Sequence, residues 1–183
     1  QAAVREVSFN RYPDPYATGA VRAFAELYDV DPENVVAGNG SDELISIILS
    51  AFLEKGDKII TLRPDFSMYG FYADIYENVV LCLNKNDDLS VDVNVLIDNI
   101  NKITPKAIIF SNPCNPTSLG ISRSDVIKLV SSVDCLVILD EAYMDFWDQS
   151  TLCEYSRFDN LIILKTVSKA IGFAAIRLGF AVS

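Results

Sequence analysis

Four short polar segments each follow an apolar run, and between them they hold most of the side chains able to do chemistry. They are Gly38-Asn39-Gly40-Ser41-Asp42-Glu43, Ser111-Asn112-Pro113-Cys114-Asn115-Pro116-Thr117, Asp140-Glu141-Ala142-Tyr143, and the group Thr166, Ser168 and Lys169. A glycine-rich turn opening a helix presents backbone N–H groups and the positive end of the helix dipole, which suits an anion. The plainer use of the same residues is a tight turn with a Ser41 cap. Asp140, at the end of an apolar run, either faces a ligand or caps the next turn of the chain. Lys169 precedes the small apolar stretch Ala170-Ile171-Gly172-Phe173-Ala174-Ala175-Ile176. A lysine set among such residues is desolvated, which makes its amine nucleophilic; the common fate of a lysine is a solvated surface. Phe66 and Tyr69 share a helical stretch and serve either as a ring-stacking platform or as core.

The elements that must position these groups follow from apolar spacing. Seven strands are expected near 35–37, 58–62, 79–83, 107–111, 136–140, 161–165 and 178–182. Helical spacing covers Ala20–Tyr28, the stretch after Ser41 with Ile45, Ile48, Leu49 and Phe52 on its apolar face, Phe66–Tyr76, Val93–Asn101, and Ser122 or Ser124 to Val130. The runs at 107–110, 136–139 and 161–164 are almost wholly apolar, as in strands covered on both faces. Strands alternating with helices give an α/β layered domain with right-handed crossovers. In open sheets of this kind ligands bind beyond the carboxyl ends of the strands, where all four polar segments fall. Residues 1–19 carry Pro13, Pro15 and Gly19 and read as an irregular arm; residues 20–183 form the domain.

Composition narrows the chemistry. The 183 residues contain no histidine, so a Ser-His-Asp triad, a Cys-His pair and histidine metal sites are not contained in this chain. The formal net charge is −10, which argues against nucleic acid and anionic membranes as partners. The four cysteines form no CxxC pair and read as reduced thiols, pointing to the cytoplasm and to no metal. No apolar stretch is long enough to span a bilayer. The first residues lack an initiator Met and a signal peptide, and the last, Leu178–Ser183, lie within an apolar run, so the chain reads as part of a longer protein.

Taken together, Arg11-Tyr12-Pro13, Gly38–Glu43, Asn112-Pro113-Cys114-Asn115-Pro116-Thr117, Asp140-Glu141-Ala142-Tyr143, Ser168-Lys169-Ala170 and Arg177-Leu178-Gly179 resemble, in order, the motifs of the aspartate-aminotransferase superfamily, fold type I, and within it the histidinol-phosphate aminotransferase branch. The resemblance implies a three-layer sandwich around a mostly parallel seven-stranded sheet of order 1-7-6-5-4-2-3, the last strand antiparallel. It implies pyridoxal 5'-phosphate as cofactor, an amino donor and a 2-oxo acceptor as substrates, and a homodimer. Catalytic roles would fall to Lys169, bonded to the cofactor and moving the substrate proton, to Asp140 against the pyridine nitrogen, and to Tyr143. Tyr143 and Asn115 would meet the 3' oxygen, and Phe66 would stack on the ring. Ser41, Asp42, Thr166, Ser168 and Arg177 would gather round the phosphate, and Tyr12 would reach the cofactor of the neighbouring subunit.

Three positions depart from that pattern: Ser118 replaces a glycine, Cys114 stands where the branch often has Asn, and Phe66 where it usually has Tyr. Ser118 is expected to keep a negative φ. The arginine that clamps the substrate carboxylate, with the small C-terminal domain, is expected beyond Ser183, so the chain alone is not expected to transaminate. A threonine-phosphate decarboxylase, an aromatic aminotransferase and a non-catalytic module of the same fold are the alternatives. A dinucleotide-binding domain fits poorly, because Glu43 stands where its third glycine belongs.

Overall fold

The computed structural model describes residues 10–183; the part of the expected arm at 1–9 lies outside them. Seven strands form one sheet: β1 (Val35–Gly38), β2 (Lys58–Arg63), β3 (Val79–Asn84), β4 (Ala107–Ser111), β5 (Leu136–Asp140), β6 (Leu161–Thr166) and β7 (Gly179–Val182), in the order β1-β7-β6-β5-β4-β2-β3. Neighbours are parallel except β7, which runs antiparallel to both β1 and β6. The helices are α1 (Thr18–Tyr28), α2 (Ser41–Phe52), α3 (Met68–Ile75), α4 (Val93–Ile103) and α5 (Arg123–Ser131). Among the described residues no helix is long and apolar enough to cross a membrane.

Successive side chains of a strand point to opposite faces, and two helical layers divide them. Ile60, Leu62, Ile108, Phe110, Val137, Leu139, Leu161 and Ile163 face α1, α4 and α5 through Phe24, Leu96, Ile100, Val126 and Leu129. Ile59, Ala107, Ile109, Ile138, Ile162 and Leu164 face α2 and α3 through Leu44, Ile45, Leu49, Tyr69 and Ala73. Both faces are covered, which is why β4 to β6 read as unbroken apolar runs. Burying each such Ile or Leu contributes about 1.5–3 kcal/mol.

Three local expectations need correction. Ser41 is not the cap of α2. Gly40 holds that place, and no side chain closes the helix start there; Glu43 reaches back instead and accepts from the Asn39 N–H at 2.7 Å. Gly40 has φ +82°, a conformation that costs glycine little. Phe52, expected on the apolar face of α2, is half exposed at the last turn, and Leu44 takes its place in the core. Ser118 has φ +61°, not a negative value: its N–H closes a turn onto the Cys114 carbonyl at 2.8 Å, and it sits where the resembled motif has glycine.

Candidate active site

Strand order brings the four polar segments to one edge. Asp140 ends β5, beside Ser111 at the end of β4 and Leu164 near the end of β6. These ends, the start of α2 and the loop after β6 enclose a small cleft of about 90 Å3, partly open to solvent. Ser41, Asp42, Phe66, Asn115, Asp140, Tyr143, Thr166, Ser168, Lys169 and Arg177 all line it, with Tyr69 and Ser111. Of the residues expected at the site, only Tyr12 is elsewhere, fully exposed on the arm.

Asp140 is the buried anion of the cleft. One carboxylate oxygen accepts from the Tyr69 hydroxyl at 2.8 Å and the other from the Ala142 N–H at 3.0 Å. It therefore both faces the cleft and orders the turn after β5, so the two sequence alternatives coexist. Burial drives its pKa up to about 6; the negative charges of Asp65 and Asp42 add to the rise, and the two hydrogen bonds oppose it. Tyr69 is pushed well above the ordinary phenol value, first by burial and then by the charge of Asp140. Sequence reasoning leaves Tyr69 as a choice between core and platform. The signal that singles it out is that a buried phenol needs a partner for its O–H. Phe66 lies just ahead of α3, not within it, and its ring meets the edge of Tyr69 at 5.5 Å.

The end of the cleft at the start of α2 is built by close backbone approach. β7 returns beside β6 so that Gly179 pairs with Thr166, and the start of α2 packs on Gly179. Thr166 Oγ1 donates to the Leu178 carbonyl at 3.4 Å and accepts from the Ser168 N–H at 3.2 Å, which closes the base of the loop carrying Lys169 and Arg177. The first N–H groups of α2 have no partner inside the helix, and Arg177 stands next to them, ion-paired to Asp42 at 3.2 Å.

Lys169 departs from its expected setting. The apolar stretch after it is exposed, Phe173 to 55% and Ile176 to 60%, and Lys169 is itself exposed rather than desolvated by those residues. Its ammonium sits 5.1 Å from the centre of the Tyr143 ring, a cation–π contact that orients it toward the cleft wall. All four cysteines are free thiols, and among the described residues no cluster of His, Cys, Asp or Glu could hold a metal ion. An exposed lysine amine, a buried carboxylate, an aromatic ring and a helix start with unpaired N–H groups thus converge in one cleft.

The model of the family described as aminotransferase class I and II matches residues 1–183. A histidinol-phosphate aminotransferase of Clostridium novyi is 48% identical over 97% of the chain, and one of Clostridium kluyveri is 42% identical over 98%. The chain spans about half the length of these curated relatives, 50% and 51%. Among solved structures, a histidinol-phosphate aminotransferase from Sinorhizobium meliloti in complex with pyridoxal-5'-phosphate superposes with a TM-score of 0.89 at 23% identity, over all of this chain and 51% of that one. A decarboxylase from Sulfurospirillum multivorans gives 0.82 at 27% identity, over all of this chain and 48% of that one. The seven-stranded order, the antiparallel seventh strand and the family match over the whole sequence agree: this chain belongs to the class I and II aminotransferases.

Proposed function

We infer that the chain is the cofactor-binding part of a pyridoxal-phosphate-dependent aminotransferase, with histidinol phosphate as amino donor and 2-oxoglutarate as acceptor, in histidine biosynthesis. The observation that carries the reading is Asp140: a buried carboxylate with its pKa raised to about 6, paired with no Lys or Arg among the described residues, at the floor of a cleft whose rim holds a free lysine amine. A cationic ring N–H is what such a carboxylate lacks, and the helix start with Arg177 is what a phosphate needs. The residues present therefore fit the cofactor.

Pyridoxal phosphate supplies, when bound, an aldehyde carbon and a ring that accepts electrons. Asp140 holds a proton on the ring nitrogen, because a buried negative charge favours the cation beside it. Tyr143 and Asn115 donate to the 3' oxygen, and Phe66 covers one ring face and excludes water from it. The N–H groups of Ser41 and Asp42, the Ser168 hydroxyl and Arg177 would bind the phosphate, and the Thr166 hydroxyl would join them by turning away from the Leu178 carbonyl. Lys169 would be the residue to bond the cofactor and to move the proton of the donor Cα.

The protein acts in the cytoplasm as a homodimer in this reading. Exposed Ile47 on α2 and Phe71 and Ile75 on α3 supply an apolar outer face for a second copy, and Tyr12, fully exposed among the described residues, would reach across it. The relatedness to decarboxylases supports a second reading, decarboxylation of an amino-acid phosphate such as threonine phosphate; a structural neighbour is an L-threonine-O-3-phosphate decarboxylase from Porphyromonas gingivalis.

Borohydride reduction of the full-length protein with pyridoxal phosphate, followed by peptide mapping, is expected to leave the label on Lys169. A label spread over several lysines would overturn the reading. Glutamate formed from 2-oxoglutarate and histidinol phosphate separates the transaminase from the decarboxylase, which would release carbon dioxide from threonine phosphate instead. Sedimentation tests the dimer, with a monomer at working concentration as the contrary outcome.

A further inference from the structure

Behind the cleft lies a second buried charge that the roles above leave unused. Asp65, in the turn after β2, and Lys85, just past β3, are both nearly inaccessible: their side chains are 1% and 3% exposed, with Lys85 Nζ 3.8 Å from Asp65 Oδ2. The backbone N–H of Lys85 also donates to the Arg63 carbonyl at 2.9 Å. Asp65 accepts from the Phe66 N–H at 2.7 Å, from the Ser111 N–H at 3.3 Å and from the Ser111 hydroxyl. With its proton committed to Asp65, Ser111 Oγ turns a lone pair to the Asn115 N–H, 3.2 Å away. One carboxylate thus ties together the ends of β2, β3 and β4, which the order β4-β2-β3 sets side by side. Two of the segments it ties carry Phe66 and Asn115. A buried carboxylate is costly unless it is paired and fully hydrogen-bonded, and this one has three donors and a cation.

We propose that Asp65, ion-paired to Lys85, is a positioning residue of the cleft: it orients Ser111 and through it Asn115, fixes the turn that presents Phe66, and places a second negative charge behind Asp140. This rests on the functional reading above for the role of Asn115 and Phe66, but the effect on Asp140 is a property of the ligand-free protein. The charged and titratable groups around Asp140 are Tyr69 from α3, Asp65 from the β2–α3 turn and Asp42 from α2, with Lys169, Tyr143 and Arg177 on the other walls of the cleft. Asp65 and Asp42 are the anions in this set. Removing the charge of Asp65 therefore makes the cleft more positive at Asp140.

The test uses the full-length protein labelled with 13C at aspartate carboxyls, the Asp140 signal being assigned by its loss in Asp140→Asn. In the ligand-free protein, Asp65→Asn is expected to lower the Asp140 midpoint by about half a pH unit or more, and Ser111→Ala to leave it in place. Both variants are expected to weaken pyridoxal-phosphate binding by about tenfold, the worth of one hydrogen bond to a charged group. The paired variant Asp65→Asn with Lys85→Met removes both buried charges together and keeps the measurement open if the single variant does not fold; it too is expected to lower the affinity. An unmoved Asp140 midpoint in Asp65→Asn, or an equal movement in Ser111→Ala, would overturn the proposal, as would wild-type affinity in both. Failure of the wild-type protein to bind pyridoxal phosphate would refute the functional reading instead and leave the Asp140 titration to decide the role of Asp65.

Discussion

The hydroxyl of Tyr69 stands 2.8 Å from Asp140 Oδ2, and both groups are buried. A neutral donor in that place lets a carboxylate keep part of its charge in a pocket that would otherwise protonate it. Tyr69→Phe keeps the ring and removes the donor. The Asp140 midpoint, about 6 in the native protein, is expected to rise, because the lost bond favoured the ionised form. The variant is expected to be less stable by about 1–3 kcal/mol, more so at pH 8 than at pH 4, where the protonated carboxyl no longer needs the donor. Carboxyl NMR and urea unfolding at the two pH values check both signs.

Asp140 itself should be a cost to the ligand-free fold. Its folded pKa is raised from 3.8 to about 6, so the folded state holds a proton that the unfolded chain releases. Below about pH 4 both states are protonated and nothing is lost. Stability falls as pH rises from about 4 to 6, and the full penalty, about 3 kcal/mol at most, is present above that. Asp140→Asn is therefore expected to stabilise the ligand-free protein at pH 7–8 by about 1–3 kcal/mol, with the gain fading below pH 4, and to weaken cofactor binding at the same time. Equal stability of the two proteins at pH 8 would show that Asp140 carries no such strain.

How much of this is legible in the sequence depends on what each residue's signal consists of. β4, β5 and β6 announce themselves because both their faces are covered, and the residues after them fall at the cleft because parallel strands share one carboxyl edge. Ser41, Asn115, Asp140, Thr166 and Lys169 are reachable in that way, whereas Arg177, just before the antiparallel β7, comes from the family resemblance alone. Asp65 and Lys85 are not: they meet only because β2 lies between β4 and β3, and a carboxylate in a Pro-containing turn looks like any solvated turn residue until the strands are placed. The surroundings of Lys169 mislead for a related reason. Apolar residues after a lysine imply burial only if something covers them, and Ile171, Phe173 and Ile176 are exposed here. Ser118 shows the limit of a rule based on residue type, adopting φ +61° where a glycine would have been at ease.

Arg177 is held by Asp42 at 3.2 Å on a half-exposed surface, so an incoming anion competes with a carboxylate for the guanidinium. Asp42→Asn removes that competitor and one negative charge while leaving the backbone N–H groups of α2 in place. Affinity for inorganic phosphate is expected to rise severalfold at low ionic strength and the gain to shrink with added salt, since the pair is screened by solvent. Arg177→Met should move affinity the other way. Phosphate binding followed by calorimetry at two salt concentrations checks the pair, and a loss of affinity in Asp42→Asn would mean that the carboxylate positions Arg177 for the anion.

Gly179 is where β7 and the start of α2 come closest. A Cβ built there would lie 2.6 Å from the Gly40 carbonyl carbon and against the Ser41 nitrogen, both backbone atoms that cannot swing aside. Gly38, by contrast, would meet only the Leu44 side chain, and Gly40 the end of Arg177. Gly179→Ala must therefore push the first turn of α2 away from the β6–β7 hairpin, moving its N–H groups off the phosphate side of the cleft. Overpacking of this kind costs about 1–3 kcal/mol. The expected result is a protein that still unfolds cooperatively, at lower urea concentration, and binds pyridoxal phosphate much more weakly than that loss of stability alone would explain. Pyridoxal without its phosphate provides the control: its weaker binding is expected to be unchanged by Gly179→Ala, because the contacts of Asp140, Phe66 and Lys169 do not depend on the start of α2. Equal losses for the two compounds would place the damage in the whole cleft and refute the assignment of this helix start to the phosphate.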